Sequence, residues 1–355
     1  MSAGNKLLVC FAFSALLIIG LGISATYNAH HLSEFRRLYP PHTLNNPSII
    51  QLPNENFYIA GCTSKHIYLG SYSLPFHLLR IDFSLKDSLS INLPIPGENH
   101  LHGKTIKLQL DSPNIYLVDE FNTAILSCPI SNRDSLHYLT TKMRISSLEC
   151  KAISPSSFIV RNADSSAKSA VLSKLSLISN SPKIMSRNLL QKQIDGIFDT
   201  DGMLHFDHSL NRLIYVYFYR NQYIVMDTNL QVQYRGKTLD SNSTAKISVT
   251  YIPSDNETTM STPPFSVNKL STVNDGYLFI QSALLAVNEN INAFRDNSAI
   301  DVYNLKKQLY EFSFYLPGTA DYKMQSFKVS HQKLIALHGP YLEVYHINPA
   351  YLTGN

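Results

Sequence analysis

The densest group of chemistry-bearing side chains in this 355-residue sequence is Asp199, Asp201, His205, Asp207 and His208. Carboxylates and imidazoles in that number suit a divalent ion. On a strand, His205 and Asp207 share a face, and with Asp199 or Asp201 they could complete a metal site. The same residues also read as turn chemistry, because Asp-Gly at Asp201 and the Asp207-His208 pair each open a tight turn. Turn chemistry is the reading the spacing favours.

Two further candidates are smaller. His100 and His102, in Gly97-Glu98-Asn99-His100-Leu101-His102-Gly103, face the same way if that segment is extended. They are candidate ligand-binding residues, but two imidazoles fall short of the roughly four ligands that zinc takes, and a solvated loop accounts for them. Arg220, in Arg220-Asn221-Gln222, sits at a hairpin tip where a guanidinium could bind a carboxylate or phosphate. No Ser-His-Asp order and no activated cysteine stands out, so no catalytic residue is assigned and no cofactor is expected.

These residues belong to a repeated element. From Gly202 to Arg235 the chain reads as four antiparallel strands, over 202–207, 212–219, 222–227 and 231–235, with short turns between. Its second strand places Tyr215, Tyr217 and Tyr219 on one face and Ile214, Val216 and Phe218 on the other, so both faces must be covered. Four-stranded sheets packed face to face in a ring, a β-propeller, meet that requirement. Further sets fall at 57–93, 105–140, 149–186 and 266–315, and a last one at 326–347 lacks its fourth strand. A strand over 32–38 or 48–52 could supply it and seal the ring. Second strands begin near Ile67, Ile115, Phe158, Leu213, Tyr277 and Leu334, at intervals of roughly 43 to 64 residues, longer than the common blade repeat. Six divergent blades fit, with an excursion near 240–265.

Composition narrows the class. Apolar residues make up 44% and charged residues only 16%, against about 25% charged in typical domains. Ser, Thr, Asn and Tyr therefore fill the surface. A net charge of +4 with no run of Lys or Arg argues against a nucleic-acid surface. The chain has no Trp, which removes the Trp-Asp repeat and the Trp motifs of quinone-dependent propellers. No kelch-like double glycine or sialidase-type Asp-box recurs.

The N-terminus carries an address. Leu7 to Ile23 is uncharged and would reach roughly 25 Å as a helix, at the lower limit for spanning a bilayer. It reads as a signal anchor, with a cleaved signal peptide over 1–25 as the alternative; Leu8-Val9-Cys10 lacks the features of a lipoprotein site. Residues 26–47 form a tether, 48–348 the propeller and 349–355 a tail. An exported body places Cys62, Cys128 and Cys150 in an oxidising compartment, where their odd number and spacing favour buried, unpaired thiols. Asn242-Ser243-Thr244 and Asn256-Glu257-Thr258 match a glycosylation acceptor, a motif short enough to occur by chance.

The segment from Gln193 to Ile347 resembles a group of uncharacterised, membrane-anchored, six-bladed propeller-like envelope proteins of Bacteroidota-type bacteria. The resemblance is carried by Asp195-Gly196-Ile197-Phe198, Asp201-Gly202-Met203-Leu204-His205, Tyr219-Arg220-Asn221-Gln222, Met226-Asp227-Thr228-Asn229-Leu230, Tyr234-Arg235-Gly236 and Phe327-Lys328-Val329. It implies a compartment and a fold, not a reaction. The expectation is therefore an all-β, six-bladed propeller behind an N-terminal helix, anchored through residues 7–23 on the periplasmic side, or secreted if the leader is cleaved. Its expected role is a binding or scaffold module for an envelope protein or glycan. The alternative is a rim-site hydrolase or lyase acting on an envelope glycan or peptide.

Overall fold

The structure, a computed structural model, describes residues 34–94, 101, 105–119, 124–140, 147–164, 169–177, 181–254 and 257–352. The expected anchor, and His100 and His102, lie outside these residues. Among the described residues no helix is long and apolar enough to cross a membrane.

Turn residues divide the chain into short strands, and alternation of side chains makes each strand two-faced. β1 (Ser48–Gln51) comes first. Blade 1 is β2 (Phe57–Cys62), β3 (His66–Ser71), β4 (His77–Asp82) and β5 (Ser88–Asn92). Blade 2 is β6 (Ile106–Asp111), β7 (Asn114–Asp119), β8 (Ala124–Pro129) and β9 (His137–Thr140). Blade 3 is β10 (Ser147–Ser154), β11 (Ser157–Asp164), β12 (Ser169–Ser176) and β13 (Ser181–Ser186). Blade 4 is β14 (Gly202–Asp207), β15 (Arg212–Tyr217), β16 (Gln222–Met226) and β17 (Val232–Lys237). The excursion that follows forms a separate hairpin, β18 (Val249–Ile252) and β19 (Glu257–Met260). Blade 5 is β20 (Asn268–Asn274), β21 (Tyr277–Ser282), β22 (Asn297–Asn304) and β23 (Leu309–Pro317), with a short α1 (Ile291–Asp296) before β22. Blade 6 is β24 (Met324–Ser330), β25 (Lys333–His338) and β26 (Tyr341–His346).

The missing fourth strand of blade 6 is β1, which pairs antiparallel with β26 from Ser48 opposite Val344 to Gln51 opposite Tyr341. Of the two expected closing segments, 48–52 is the one used. The segment over 32–38 has another task. Leu38 binds the edge of blade 5, accepting from the Ser313 amide and donating its own amide to the Tyr310 hydroxyl. Arg37 beside it is buried, with Nε 2.7 Å from Asp301 Oδ1 and Nη1 2.5 Å from Glu289 Oε2. Leu44 then bridges to Ile347. The chain before β1 thus clamps blade 5 to blade 6.

Six apolar clusters fill the interfaces between successive blades. Tyr68 and Leu78 meet Leu108 and Ile115 between blades 1 and 2, and Tyr116 and Val118 meet Phe158 and Val160 between blades 2 and 3. The second strand of blade 4 serves both its neighbours. Leu213, Tyr215 and Tyr217 pack toward blade 3, while Ile214 and Val216 pack toward blade 5. At about 1.5–3 kcal/mol for each fully buried large apolar side chain, these interfaces hold the ring. The strand ends at Tyr217, two residues earlier than the alternation predicts, because Phe218 and Tyr219 enter the turn to β16. One close approach requires glycine. A Cβ on Gly61 would lie 2.5 Å from the Leu110 carbonyl oxygen of the next blade.

The connections define two rims. The upper rim carries the links between blades and the turns joining second to third strands. The lower rim carries the turns joining first to second and third to fourth strands.

Candidate functional site: the central channel

The first strands, β2, β6, β10, β14, β20 and β24, surround the axis. In β6, Ile106, Leu108 and Leu110 are buried between blades while Lys107, Gln109 and Asp111 take the opposite face. The pattern repeats in β10, where Cys150 and Ala152 are buried beside Lys151, and in β24, where Phe327 and Val329 flank Lys328. Two cavities lie along this axis. The upper one, about 380 Å³, is lined by Lys107, Gln109, Glu149, Lys151, Arg161 and Asp201, with Met203, Leu204 and Phe218 as its apolar wall. The lower one, about 220 Å³, is lined by Cys62, Asp111, Lys151, Asp207, His208 and Lys328. Lys151 lines both, at the waist between them.

Burial and crowding set the proton affinities at this waist. Desolvation, reinforced by the Lys328 charge, pushes the Lys151 ammonium down to about 8. Desolvation, followed by the Lys151 and Lys328 charges, pushes the His205 imidazole down to about 3. His205 is therefore neutral, and its Nε2 lies 2.6 Å from Ser271 Oγ. Burial lifts the Cys62 thiol to about 11. Among the described residues neither Lys151 nor Lys328 has an ion-pair partner.

The acidic groups around them are committed elsewhere. Glu149 accepts the Leu204 amide on both oxygens, at 3.1 and 3.2 Å. Asp201 pairs with Arg161 Nη1 at 3.0 Å, and burial raises its carboxyl affinity for a proton against the Arg161 charge. Asp111 meets His208 Nε2 at 2.6 Å, a contact that lifts the imidazole's proton affinity.

The acids of this stretch are each engaged within the fold. Asp199 is buried and accepts the backbone amides of Gln193, Ile194 and Gly196, the last at 2.5 Å. Asp207 takes the Ser209 hydroxyl and the Leu210 and Gly276 amides. Asp201 and His205 are engaged with Arg161 and Ser271. Each candidate ligand closes a turn or a neighbouring contact, and among the described residues no group of three or more such side chains is placed to hold a metal ion. Turn chemistry accounts for the stretch.

Arg220 also differs from expectation. Although it lies at the end of a hairpin, its side chain is 1% exposed. The guanidinium stacks 3.7 Å above the Tyr217 ring and donates from Nη1 to the Gln191 carbonyl at 3.0 Å. These contacts tie it to the link between blades 3 and 4, while its Nε and Nη2 are buried without a partner. Sequence reasoning missed Lys151, Lys328, Arg161 and Glu149. The signal for the two lysines is a charge at an inward position flanked on either side by residues that must pack between blades.

No protein-family model matches the chain, and no curated protein matches it. Solved structures do. A crystal structure of a member of the DUF4221 family from Bacteroides vulgatus superposes with a TM-score of 0.52 at 12% identity, covering 86% of this chain and 97% of that one. A catalytically inactive virginiamycin B lyase from Staphylococcus aureus, determined with quinupristin, gives 0.49 at 9% identity over 85% and 99% of the two chains. BamB from Moraxella catarrhalis gives 0.44 at 11% over 86% and 100%. At such identities the first similarity shows the propeller fold.

Proposed function

We propose that the protein is a binding module that presents its upper rim to a protein partner outside the cytoplasm, held at the membrane through residues 7–23. The observation that carries this reading is where the exposed apolar side chains fall. Of the twelve exposed large apolar side chains among the described residues, seven stand on upper-rim connections, namely Tyr72 and Leu74 (63% and 59% exposed), Ile194, Tyr251, Val287, Ile291 and Tyr322, against two, Val232 and Leu309, at the lower rim. Large apolar groups concentrated on one face of a soluble body mark an interaction surface. The β18–β19 hairpin, which carries Tyr251, extends that face. The channel acids are meanwhile tied to backbone amides, Arg161 and His208, so among the described residues these carboxylates are engaged rather than poised for hydrolysis. The resemblance to Bacteroidota-type envelope proteins supports the compartment.

The test is crosslinking in intact envelopes followed by capture of the full-length protein. The Tyr72→Ser, Leu74→Ser, Tyr251→Ser triple variant should lose a specific protein that wild type retains. The lower-rim control Val232→Ser, Leu309→Ser should keep it. Equal capture by both variants would refute the rim reading, and recovery of glycan without protein would replace the partner class. For the compartment, external protease should cleave the propeller in spheroplasts; protection until lysis would overturn export.

A further inference from the structure

We propose that the upper cavity of the channel is a binding site for a carboxylate attached to an apolar group, of the kind found at the C-terminal residue of a peptide chain. The site stands on the channel alone and goes beyond the rim reading. Its charged side is built by blade 3. Lys151 comes from β10, and Arg161 comes from β11, opposite Glu149 in the strand register. Arg161 has a side chain only 5% exposed, yet its Nε has no partner. A buried guanidinium nitrogen with nothing to bind costs free energy unless a ligand or water satisfies it. Nη1 and Nη2 are already held by Asp201 and the Ile197 carbonyl, so Arg161 is fixed in place.

Lys151 has the complementary property, an ammonium at the waist with no ion-pair partner among the described residues. Lys328 reaches toward it from blade 6, which in a six-membered ring faces blade 3. The groups whose charges act on Lys151 are Lys328, Asp111, Glu149 and the Cys150 thiol. Both acids are occupied, Asp111 by His208 and Glu149 by the Leu204 amide. An incoming anion therefore relieves the repulsion between two lysines and restores proton affinity to Lys151. The rest of the lining selects the body of the ligand. Met203, Leu204 and Phe218, from blade 4, form the apolar part of the lining. A cavity of about 380 Å³ lies within the range of small-ligand sites. The upper cavity lies on the same side of the ring as the rim that carries Tyr72 and Tyr251.

The test uses full-length protein in neutral detergent at pH 7, below the Lys151 midpoint, with calorimetric titration of N-acetyl-leucine, N-acetyl-leucinamide and N-acetylglycine. The acid should bind at least tenfold more tightly than its neutral amide, and N-acetylglycine should be weaker than N-acetyl-leucine. Lys151→Met should weaken N-acetyl-leucine at least tenfold, whereas Lys65→Met, on the outer surface, should not. If Lys151→Met fails to fold by circular dichroism, Lys328→Met serves, with a smaller loss expected. Saturating N-acetyl-leucine should also move the Lys151 titration, followed by nitrogen NMR of labelled lysine, to higher pH. Equal affinity for acid and amide, no binding at 10 mM, or an unmoved Lys151 titration would each overturn the site. The upper-rim triple variant should bind N-acetyl-leucine like wild type, so failure of the rim reading remains separable.

Discussion

Replacing His205 with Gln tests the electrostatics of the channel waist without introducing a charge. The imidazole sits beside Lys151 and Lys328 and is pushed down to about 3 by burial and by those two ammonium groups. In the unfolded chain a histidine titrates near 6.5. Because the folded value is the lower one, the unfolded state takes up the proton first as pH falls. The stability that His205 contributes is complete above about 6.5 and is lost progressively as pH drops toward about 3. Between pH 6 and pH 4 this one group should cost wild type about 2.5 kcal/mol, and still about 2 kcal/mol if its folded value were nearer 4. Gln at this position can keep the contact with Ser271 and has no proton to gain. Urea unfolding followed by far-ultraviolet circular dichroism suits a chain with no Trp. Wild type should lose about 2 to 2.5 kcal/mol more than His205→Gln over that pH interval, since other acids titrate alike in both proteins and cancel in the difference. The Lys151 ammonium, pushed down only to about 8, stays protonated throughout the interval. Equal losses in the two proteins would refute the account of a buried neutral imidazole pressed by two cations.

Other perturbations address the ring and its thiols. Arg37→Met should cost about 3–5 kcal/mol in urea unfolding, because Asp301 and Glu289 are left buried without their cation. Arg37→Lys should recover only part of that, since an ammonium cannot present the fork that meets both carboxylates. Gly61→Ala should cost about 1–3 kcal/mol by driving a methyl into the Leu110 carbonyl and prising β2 from β6; an unchanged urea midpoint would show that the contact can relax. Among the described residues Cys62, Cys128 and Cys150 form no disulfide, so in a Cys10→Ser background dithiothreitol should leave the melting temperature unchanged. Aromatic disulfide reagents should label Cys62 only slowly at pH 8, because its thiol is lifted to about 11.

Most of the fold was legible because the propeller writes itself in alternation. β15 needed apolar residues on both faces, and Leu213 and Ile214 do pack toward different neighbours. The ring closure was legible as a strand count that fell one short at the C-terminus. The choice between 32–38 and 48–52 was not, because both are short segments that mix apolar and polar residues ahead of the first blade. What separates them is Arg37, whose ion pairs with Glu289 and Asp301 join residues distant in sequence. What was not legible at the candidate site shares that cause. Arg220 reads as a solvated tip, and nothing near it announces that Tyr217 and the Gln191 carbonyl will bury it. The acids from Asp195 to Asp207 are dense because successive turns there need oxygen acceptors, and density alone does not distinguish a turn from a ligand set.

The channel lysines were illegible for the opposite reason: each stands alone. Lys107, Lys151 and Lys328 occur one to a strand, separated by whole blades, and none belongs to a motif. Once the strands are placed in register the pattern becomes a rule that sequence could supply. In a propeller the first strand of each blade is buried on the faces that meet its neighbours, and its remaining positions point to the axis. A charge in Ile106-Lys107-Leu108, Cys150-Lys151-Ala152 or Phe327-Lys328-Val329 has apolar neighbours that must pack, so the charge is forced inward. Several such strands bring like charges to a common axis whatever their separation along the chain. Repulsion of this kind weakens the ring unless something negative enters. Burial first and the Lys328 charge second depress the proton affinity of Lys151, and an inward lysine left in that position is what points from the geometry of the blades to a ligand in the channel.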